Sequence, residues 1–292
     1  MNNPDNVHKE LVQRGNGENP LGVKHAVVLP PATIGILGGG QLGRMIAISA
    51  RQMGYRIATL DPTPDSPCGQ VADRQIVAPF DSLDGARQLA QCSDVLTYEF
   101  ENISSDVAKV LEKESYLPQG ADLLYLTQNR LREKEGIRRA GGPVAPFRPV
   151  RSPEELSKHL ADLGLPAVLK TAEGGYDGKG QFVLRRLEQV EKAKEEVALR
   201  GGEWILEQFV PFVKELSVIV ARNKKGEVAT FPMAENIHRN NILHLSIAPA
   251  RVEEKVQRQG EELARKLAEA FQLVGLLAIE LFLLEDGQLL VN

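Results

Sequence analysis

Cysteine is scarce. Cys68 and Cys92 are the only two in 292 residues, and they show no metal-ligand spacing. Two thiols in a chain this size suit a reducing cytosol and carry little else. Long apolar runs are missing: none reaches the ~18 residues that a membrane helix needs. Neither sign of charge dominates, with 35 Lys and Arg against 39 Asp and Glu and a net charge of -4. That balance argues against nucleic acid or an anionic membrane as the main partner. No repeat of solenoid period is present. What remains is ordinary for a globular protein, 42% hydrophobic and 25% charged, and the length suggests about two domains with a real core. Residues 1–31 stand apart, rich in Asn, Gly and Pro, with AVVL as their only apolar run. That run is too short for a secretory core segment. The expectation is a loose tail without export and a cytoplasmic location.

From Thr33 the texture is regular. TIGIL, RIATLD, QIVAPF and VLTYEF read as strands, with helices in QLGRMIAISARQMG, LDGARQLAQC and DVAKVLEKE. Alternating strand and helix predicts an open parallel sheet covered on both faces. LTQNRLREKEGIRRAGG follows as one helix, stopped by Gly141, Gly142 and Pro143. A small α+β unit comes next: FRPVRS extended, helix PEELSKHLADLG, strand PAVLKTA, a glycine-rich loop, strand QFVLRR, a charged helix and strand EWILEQFV. The last part opens on strands KELSVIVARN and EVATFPMAEN around an NKKG turn. ILHLSIAPA, a long amphipathic helix and LLAIELFLLEDGQLLVN complete it. The expected domains are 32–120, then a connecting helix and lid over 121–206, then 207–292.

Four motifs carry candidate chemistry. Gly38, Gly40 and Gly43 fit G-x-G-x-x-G after the first strand, and Asp61 could bind a ribose hydroxyl, as in a dinucleotide site. A lone motif of this kind is weak, because any doubly wound domain packs tightly there. AVLKTAEGGYDGKGQFVL is more telling. Lys170 ends a strand, and the glycine loop with Lys179 at its tip can fold over phosphates and donate N–H groups. It is not a Walker loop, since Glu173 stands where the first glycine should be and Gly180 where Ser or Thr should be. A plain surface hairpin would not carry the entropy of four glycines. Glu207 ends an apolar strand, and Gln208, Phe209 and Val210 can offer backbone groups to an adenine edge. Glu215 begins another strand and reads equally as a rim ion-pair partner. Glu280 lies among Ile, Leu and Phe. Buried, it needs a cation; facing outward, it is the polar member of an alternation.

Taken in order, these motifs resemble an ATP-grasp enzyme. GGGQLGRM, TYEFEN, LKTAEGGYDGKGQF, and ENIHRNNIL followed by SIAP resemble the 5-(carboxyamino)imidazole ribonucleotide synthase family of purine biosynthesis, from about Thr33 to Asn292. The resemblance implies an ATP-grasp fold, α/β and α+β, preceded by a Rossmann-like pre-ATP-grasp domain that holds no NAD. The Gly38–Gly43 loop, with Gln41 and Leu42, then faces the ribonucleotide, and Asp61 becomes a local structural residue. It further implies ATP contacts from Arg130, Lys170, Gly175, Tyr176, Asp177, Gly178, Lys179, Gly180, Gln181, Glu207, Gln208, Phe209, Val210, Glu215, His238 and Asn292. Lys170, Tyr176, Asp177 and Lys179 become the catalytic set. Tyr176 and Asp177 face bicarbonate or substrate, Glu101 faces the substrate amine, and Glu280 holds Mg2+. The implied activity is ATP- and bicarbonate-dependent carboxylation of aminoimidazole ribonucleotide through carboxyphosphate, by a homodimer. Alternatives are another ATP-grasp carboxylate-amine ligase and a nucleotide-binding regulator without turnover. His244 departs from the arginine common in relatives.

A second departure lies at Asn292. The family continues with a glutamate and a basic, histidine-rich segment, so the C-terminal domain is expected to be truncated. Asp286-Gly287 as a two-residue turn pairs Glu285 with Gln288, which puts Glu280 opposite position 293. On that register the chain holds half of its metal site, and it is expected not to carboxylate.

Overall fold

The computed structural model describes residues 27–99, 101–174 and 180–292. It divides between Leu124 and Tyr125 into two compact units, a little beyond the expected boundary at 120.

The first unit runs β1 (Thr33–Leu37), α1 (Gln41–Gln52), β2 (Arg56–Asp61), β3 (Arg74–Val77), α2 (Leu83–Gln91), β4 (Val95–Tyr98) and α3 (Ser105–Glu114). Its strands pair in parallel in the order β3-β2-β1-β4. Strand side chains alternate between faces. Ile36 therefore joins Ala47, Ala50 and Ile57 against α1, while Leu37 joins Leu60, Leu89, Leu96 and Leu111 against α2 and α3. Each fully buried aliphatic side chain contributes ~1.5–3 kcal/mol, so both faces anchor the sheet, as the alternation implied. Ser82 and Ser104 cap α2 and α3 by accepting the Gly85 and Val107 N–H. The loose-tail reading fails at its end: Tyr55 Oη donates to the Val28 carbonyl at 2.9 Å, and Ala32 N–H to Leu29. Residues 1–26 lie outside the described residues.

The division falls within α4 (Asp122–Thr127), and the next element of the second unit is α5 (Arg130–Arg139). The expected single helix is thus two. Asn129 breaks it, because its Oδ1 accepts the Leu131 and Arg132 N–H at 3.0 and 3.1 Å and so starts a new helix. Next come β5 (Phe147–Val150), α6 (Pro153–Leu163), β6 (Ala167–Thr171), β7 (Gln181–Leu184), α7 (Leu187–Arg200) and β8 (Trp204–Gln208). These strands form an antiparallel sheet, β5-β8-β6-β7, over which α6 and α7 bury Leu156, Leu169, Val197 and Trp204. The expected boundary at 206/207 falls inside β8.

A six-stranded antiparallel sheet completes the unit: β9 (Lys214–Arg222), β10 (Val228–Thr230), β11 (Ala234–Arg239), β12 (Ile242–Ile247), β13 (Gly275–Leu283) and β14 (Leu289–Val291), with helix α8 (Glu254–Ala270) before β13. The order is β12-β11-β9-β13-β14, with β10 beside β9. EVATFPMAEN, expected as one strand, is two, interrupted around Pro232, which has no N–H to give a ladder. Its halves pair with successive stretches of β9. The closing hairpin also differs. Gly287 N–H bonds Leu284 O at 3.0 Å, Leu284 N–H bonds Gln288 O at 2.9 Å, and Gly287 has φ +84°. This is a three-residue loop closed by a left-handed glycine rather than a two-residue turn. The register moves by one: Leu281 pairs with Val291, and Glu280 meets Asn292, whose N–H donates to the Glu280 carbonyl at 3.0 Å, so the expected pairing of Glu280 with position 293, and the inactivity inferred from it, do not follow.

Candidate active site

In the first unit, the loop after β1 is tightly packed. Asp61 is buried; its Oδ2 accepts the Gly39 N–H at 2.9 Å and its Oδ1 the Thr63 N–H at 2.8 Å. The carboxylate holds its own turn, the local role. A Cβ on Gly39 would lie 2.4 Å from Ser66 Oγ, and one on Gly43 2.6 Å from the Gly38 carbonyl. Both glycines therefore answer to close approach of the backbone. Gln41 and Leu42 open α1 and are exposed, as is Glu101. Glu99, which sequence reasoning passed over, is half-buried beside this loop. Burial first and then Asp61 raise its pKa, against a hydrogen bond from the Gly40 backbone.

The charged centre of the second unit is Glu207, at the end of β8 and buried. Lys170, on neighbouring β6, donates to Glu207 Oε2 at 2.7 Å. Lys134, on α5, places Nζ 3.5 Å from Glu207 Oε1 and donates to the Val291 carbonyl at 3.2 Å. Burial raises the Glu207 pKa most strongly, but Lys134, Lys170 and Arg130 outweigh it, and the net shift is downward. Burial depresses the Lys134 pKa, with Glu207 opposing. Arg130 is set in place from its backbone, whose N–H donates to Ala172 O at 2.8 Å. Lys134 was missed in the sequence. It sits among six other charged residues between 130 and 139, with nothing to mark it as the buried one.

The second group lies on the six-stranded sheet. Residues 216, 218 and 220 of β9 are buried, while Glu215 and Ser217, which alternate with them, are half-exposed. Glu215 Oε2 is 2.7 Å from His238 Nδ1. Burial is the main cause that raises the Glu215 pKa; His238 opposes it and Glu280 adds to it. Glu280 pairs directly with Ser217 and is exposed, which settles its direction: it is the outward-facing member of the β13 alternation. Asn292 Nδ2 donates to Glu280 Oε2 at 3.3 Å. Ser246 Oγ donates to Asn236 Oδ1 at 2.8 Å and Asn236 Nδ2 to Ser217 Oγ at 3.0 Å, a polar row that sequence reasoning also missed. Among the described residues, no three His, Cys, Asp or Glu side chains converge on one point. Glu280 with Asn292 places one carboxylate beside one carboxamide on the exposed face; a single carboxylate is what a Mg2+ ion needs only where phosphates and water complete its shell.

The remaining candidates fall around these groups. Gly175, Tyr176, Asp177, Gly178 and Lys179 lie outside the described residues. Their flanks are pinned: Thr171 N–H donates to Gly180 O at 3.1 Å, and Thr171 Oγ1 to Gly174 O at 2.7 Å. Gln181 pairs with Lys170. At the end of β8, the Gln208 and Phe209 N–H are spent on Pro146 O and Pro166 O, and the Val210 carbonyl on Phe212 N–H. Gln41, Leu42 and Glu101 belong to the first unit.

Against known proteins, residues 31–128 match the ribonucleotide synthetase preATP-grasp domain and residues 135–292 the ATP-grasp domain. The N5-carboxyaminoimidazole ribonucleotide synthase of Bacillus subtilis (strain 168) is 55% identical over 266 residues, 91% of this chain and 70% of that protein. The chain belongs to the N5-carboxyaminoimidazole ribonucleotide synthase family. The synthase of Staphylococcus haemolyticus (strain JCSC1435) is 39% identical over 89% of this chain and 68% of its own. A solved ADP complex of a family member superposes with a TM-score of 0.88 at 54% identity, covering 91% of this chain and 70% of that one. The Aspergillus clavatus enzyme, in complex with ADP and the aminoimidazole ribonucleotide, gives 0.80 at 31%, over 89% and 68%. The fold is therefore a pre-ATP-grasp domain followed by an ATP-grasp domain, as the motif order implied.

Proposed function

We propose that the chain uses ATP and bicarbonate to carboxylate 5-aminoimidazole ribonucleotide, as an ADP-forming ligase that makes a C–N bond in purine biosynthesis. The 55% identity to the Bacillus subtilis synthase across 91% of the chain carries this reading. A bicarbonate oxygen attacks the γ-phosphorus and ADP leaves. The amine nitrogen attacks the carbon of the resulting carboxyphosphate, phosphate departs, and a proton is lost. These steps need positioning and charge neutralisation more than side-chain chemistry. Lys170 turns its ammonium to the phosphates, with Arg130 beside it. The Phe209 carbonyl and Val210 N–H of the hinge meet the adenine edge, Glu215 takes the ribose hydroxyls, and His238 underlies them. Mg2+, when bound, would neutralise phosphate charge; Glu280 and Asn292 would hold it. Tyr176 and Asp177 serve bicarbonate or substrate and Lys179 the phosphates, while Gln41, Leu42 and Glu101 serve the ribonucleotide. The test is phosphate release with each substrate omitted in turn. Release that needs both bicarbonate and aminoimidazole ribonucleotide supports the reading; release indifferent to the ribonucleotide rejects it.

We also assign a cytoplasmic homodimer. No helix among the described residues is long and apolar enough to cross a membrane. On α1, Met45 and Ile46, with Met53 just beyond, are exposed at helical spacing that lines one side, an apolar stripe suited to a second copy. Met45→Asp should shift sedimentation to a monomer. A monomer already in the unmodified chain would remove the assignment.

A further inference from the structure

We infer that Lys134 is the resident counter-ion of Glu207, and that its presence is what frees Lys170 to leave Glu207 for a nucleotide phosphate. The inference rests on the assignment of Lys170 to the phosphates. Glu207 is buried and has two ammonium neighbours on two different elements. Their situations differ. Lys134 is itself buried at 4% exposure, and its second contact is the Val291 carbonyl, a fixed backbone group 157 residues away in sequence. It has nowhere to go. Lys170 keeps 15% of its side chain exposed, at the strand end that leads to the glycine loop. The exchangeable partner is Lys170.

The charge count shows why both are needed. With both lysines present, Glu207 and the pair sum to +1. When Lys170 swings to a phosphate, Glu207 and Lys134 remain as a neutral pair. Without Lys134, the same movement would strand a buried carboxylate with no counter-ion, a penalised state that would oppose nucleotide binding. Glu207 Oε1 has no hydrogen-bond partner while Lys134 stands 3.5 Å away, so an acceptor is open for Lys134 when Lys170 departs. Arg130, from the same helix as Lys134, is the other cation that Glu207 senses, and Glu133 the other anion near Lys134. Lys134 is thus a positioning residue that acts through Lys170.

The experiment is calorimetric titration with ADP of the unmodified chain, Lys134→Met, Glu207→Gln and the double variant. Lys134→Met should bind ADP at least tenfold more weakly. Its binding should take up a proton, read from buffers of different ionisation enthalpy, because Glu207 must then be neutralised another way. The double variant, with no carboxylate to strand, should recover most of the lost affinity. A merely structural lysine would give additive losses and no proton uptake. Lys134→Met affinity within twofold of the unmodified chain, or a double variant no better than Lys134→Met, would overturn the inference. If Lys134→Met does not fold, the double variant is compared with Glu207→Gln. Affinities within threefold support the inference, and a further tenfold loss rejects it. Lys170→Ala separates the two levels: unchanged ADP affinity there removes the phosphate assignment itself.

Discussion

On the proposed phosphate assignment, Lys170 is contested by two anions. An ammonium ~4 Å from a phosphate at an effective dielectric of ~20 gains about 4 kcal/mol before desolvation, and it must give up a 2.7 Å contact with Glu207 to do so. The net gain is smaller, but it acts on every turnover. Lys170→Ala should weaken ATP binding and phosphate release by at least tenfold, measured by titration and by a phosphate assay. Equal values in both proteins would refute the assignment. Glu280 is the contrasting case, exposed and joined, among the described residues, by a 3.3 Å carboxamide contact, so its removal should leave the fold intact. Glu280→Gln should keep the melting temperature within a degree or so yet lower magnesium-dependent turnover ~100-fold or more. A variant that responds to Mg2+ like the parent would remove Glu280 from the metal. Lys170, Glu207 and Glu280 were legible because each ends a strand or interrupts an apolar one. Lys134 was not. Its ammonium is met by the Val291 carbonyl, 157 residues away in sequence, and local sequence carries no trace of such a contact.

At the level of elements, the strands and helices read from alternation and turn residues were present, while three junctions were not as expected. The reasons are local. Asn129 can serve a helix start or a helix interior, and what decides is tertiary. Its Nδ2 donates to Glu173 Oε1 at 3.1 Å while its Oδ1 caps α5, tying the first turn of α5 to the entry of the glycine loop. Asp-Gly fits either a two-residue or a three-residue hairpin, and Asp286 Oδ1, by accepting the Gln288 N–H at 3.0 Å, favours the longer loop. A register shift of one residue changes which side chain meets Glu280. The cap gives a further prediction. Losing an Asn N-cap costs ~1 kcal/mol, and Asn129→Ala also releases Glu173. The variant should melt a few degrees lower and bind ATP several-fold more weakly, because Arg130 and Lys134 both stand on the loosened helix. A lower melting temperature with unchanged ATP affinity would show that the cap supports the helix alone.

On the scale of the whole molecule, pH dependence is set by carboxylates that pull in opposite directions. The second unit can be watched alone, since Trp204 is the only tryptophan and is buried within it. Glu235, on β11, is buried and bound by Arg251 Nη2 at 2.8 Å and Lys214 Nζ at 2.9 Å. The Arg251 hydrogen bonds lead the causes that hold its pKa at about 2 rather than 4.5. A depressed carboxylate stabilises the fold fully above its unfolded pKa, and that stability is lost as pH falls toward the folded value. The loss from Glu235 therefore runs from pH 4.5 down to about 2. It amounts to at most ~3 kcal/mol, less because Arg251 is largely in solvent. Glu207 is shifted the same way and adds to it. Glu215 has the opposite sign: its raised folded pKa means the folded state takes up protons first as pH falls from neutrality, which favours folding. Urea midpoints followed by Trp204 fluorescence should thus hold or rise slightly from pH 7 to 5, then drop steeply between pH 4.5 and 3. Glu235→Gln should lower the midpoint at pH 7 and flatten the acid drop, since the variant has no Glu235 proton to bind. An acid limb as steep in Glu235→Gln as in the parent would place the acid sensitivity elsewhere, with Glu207 and its two lysines the next group to test.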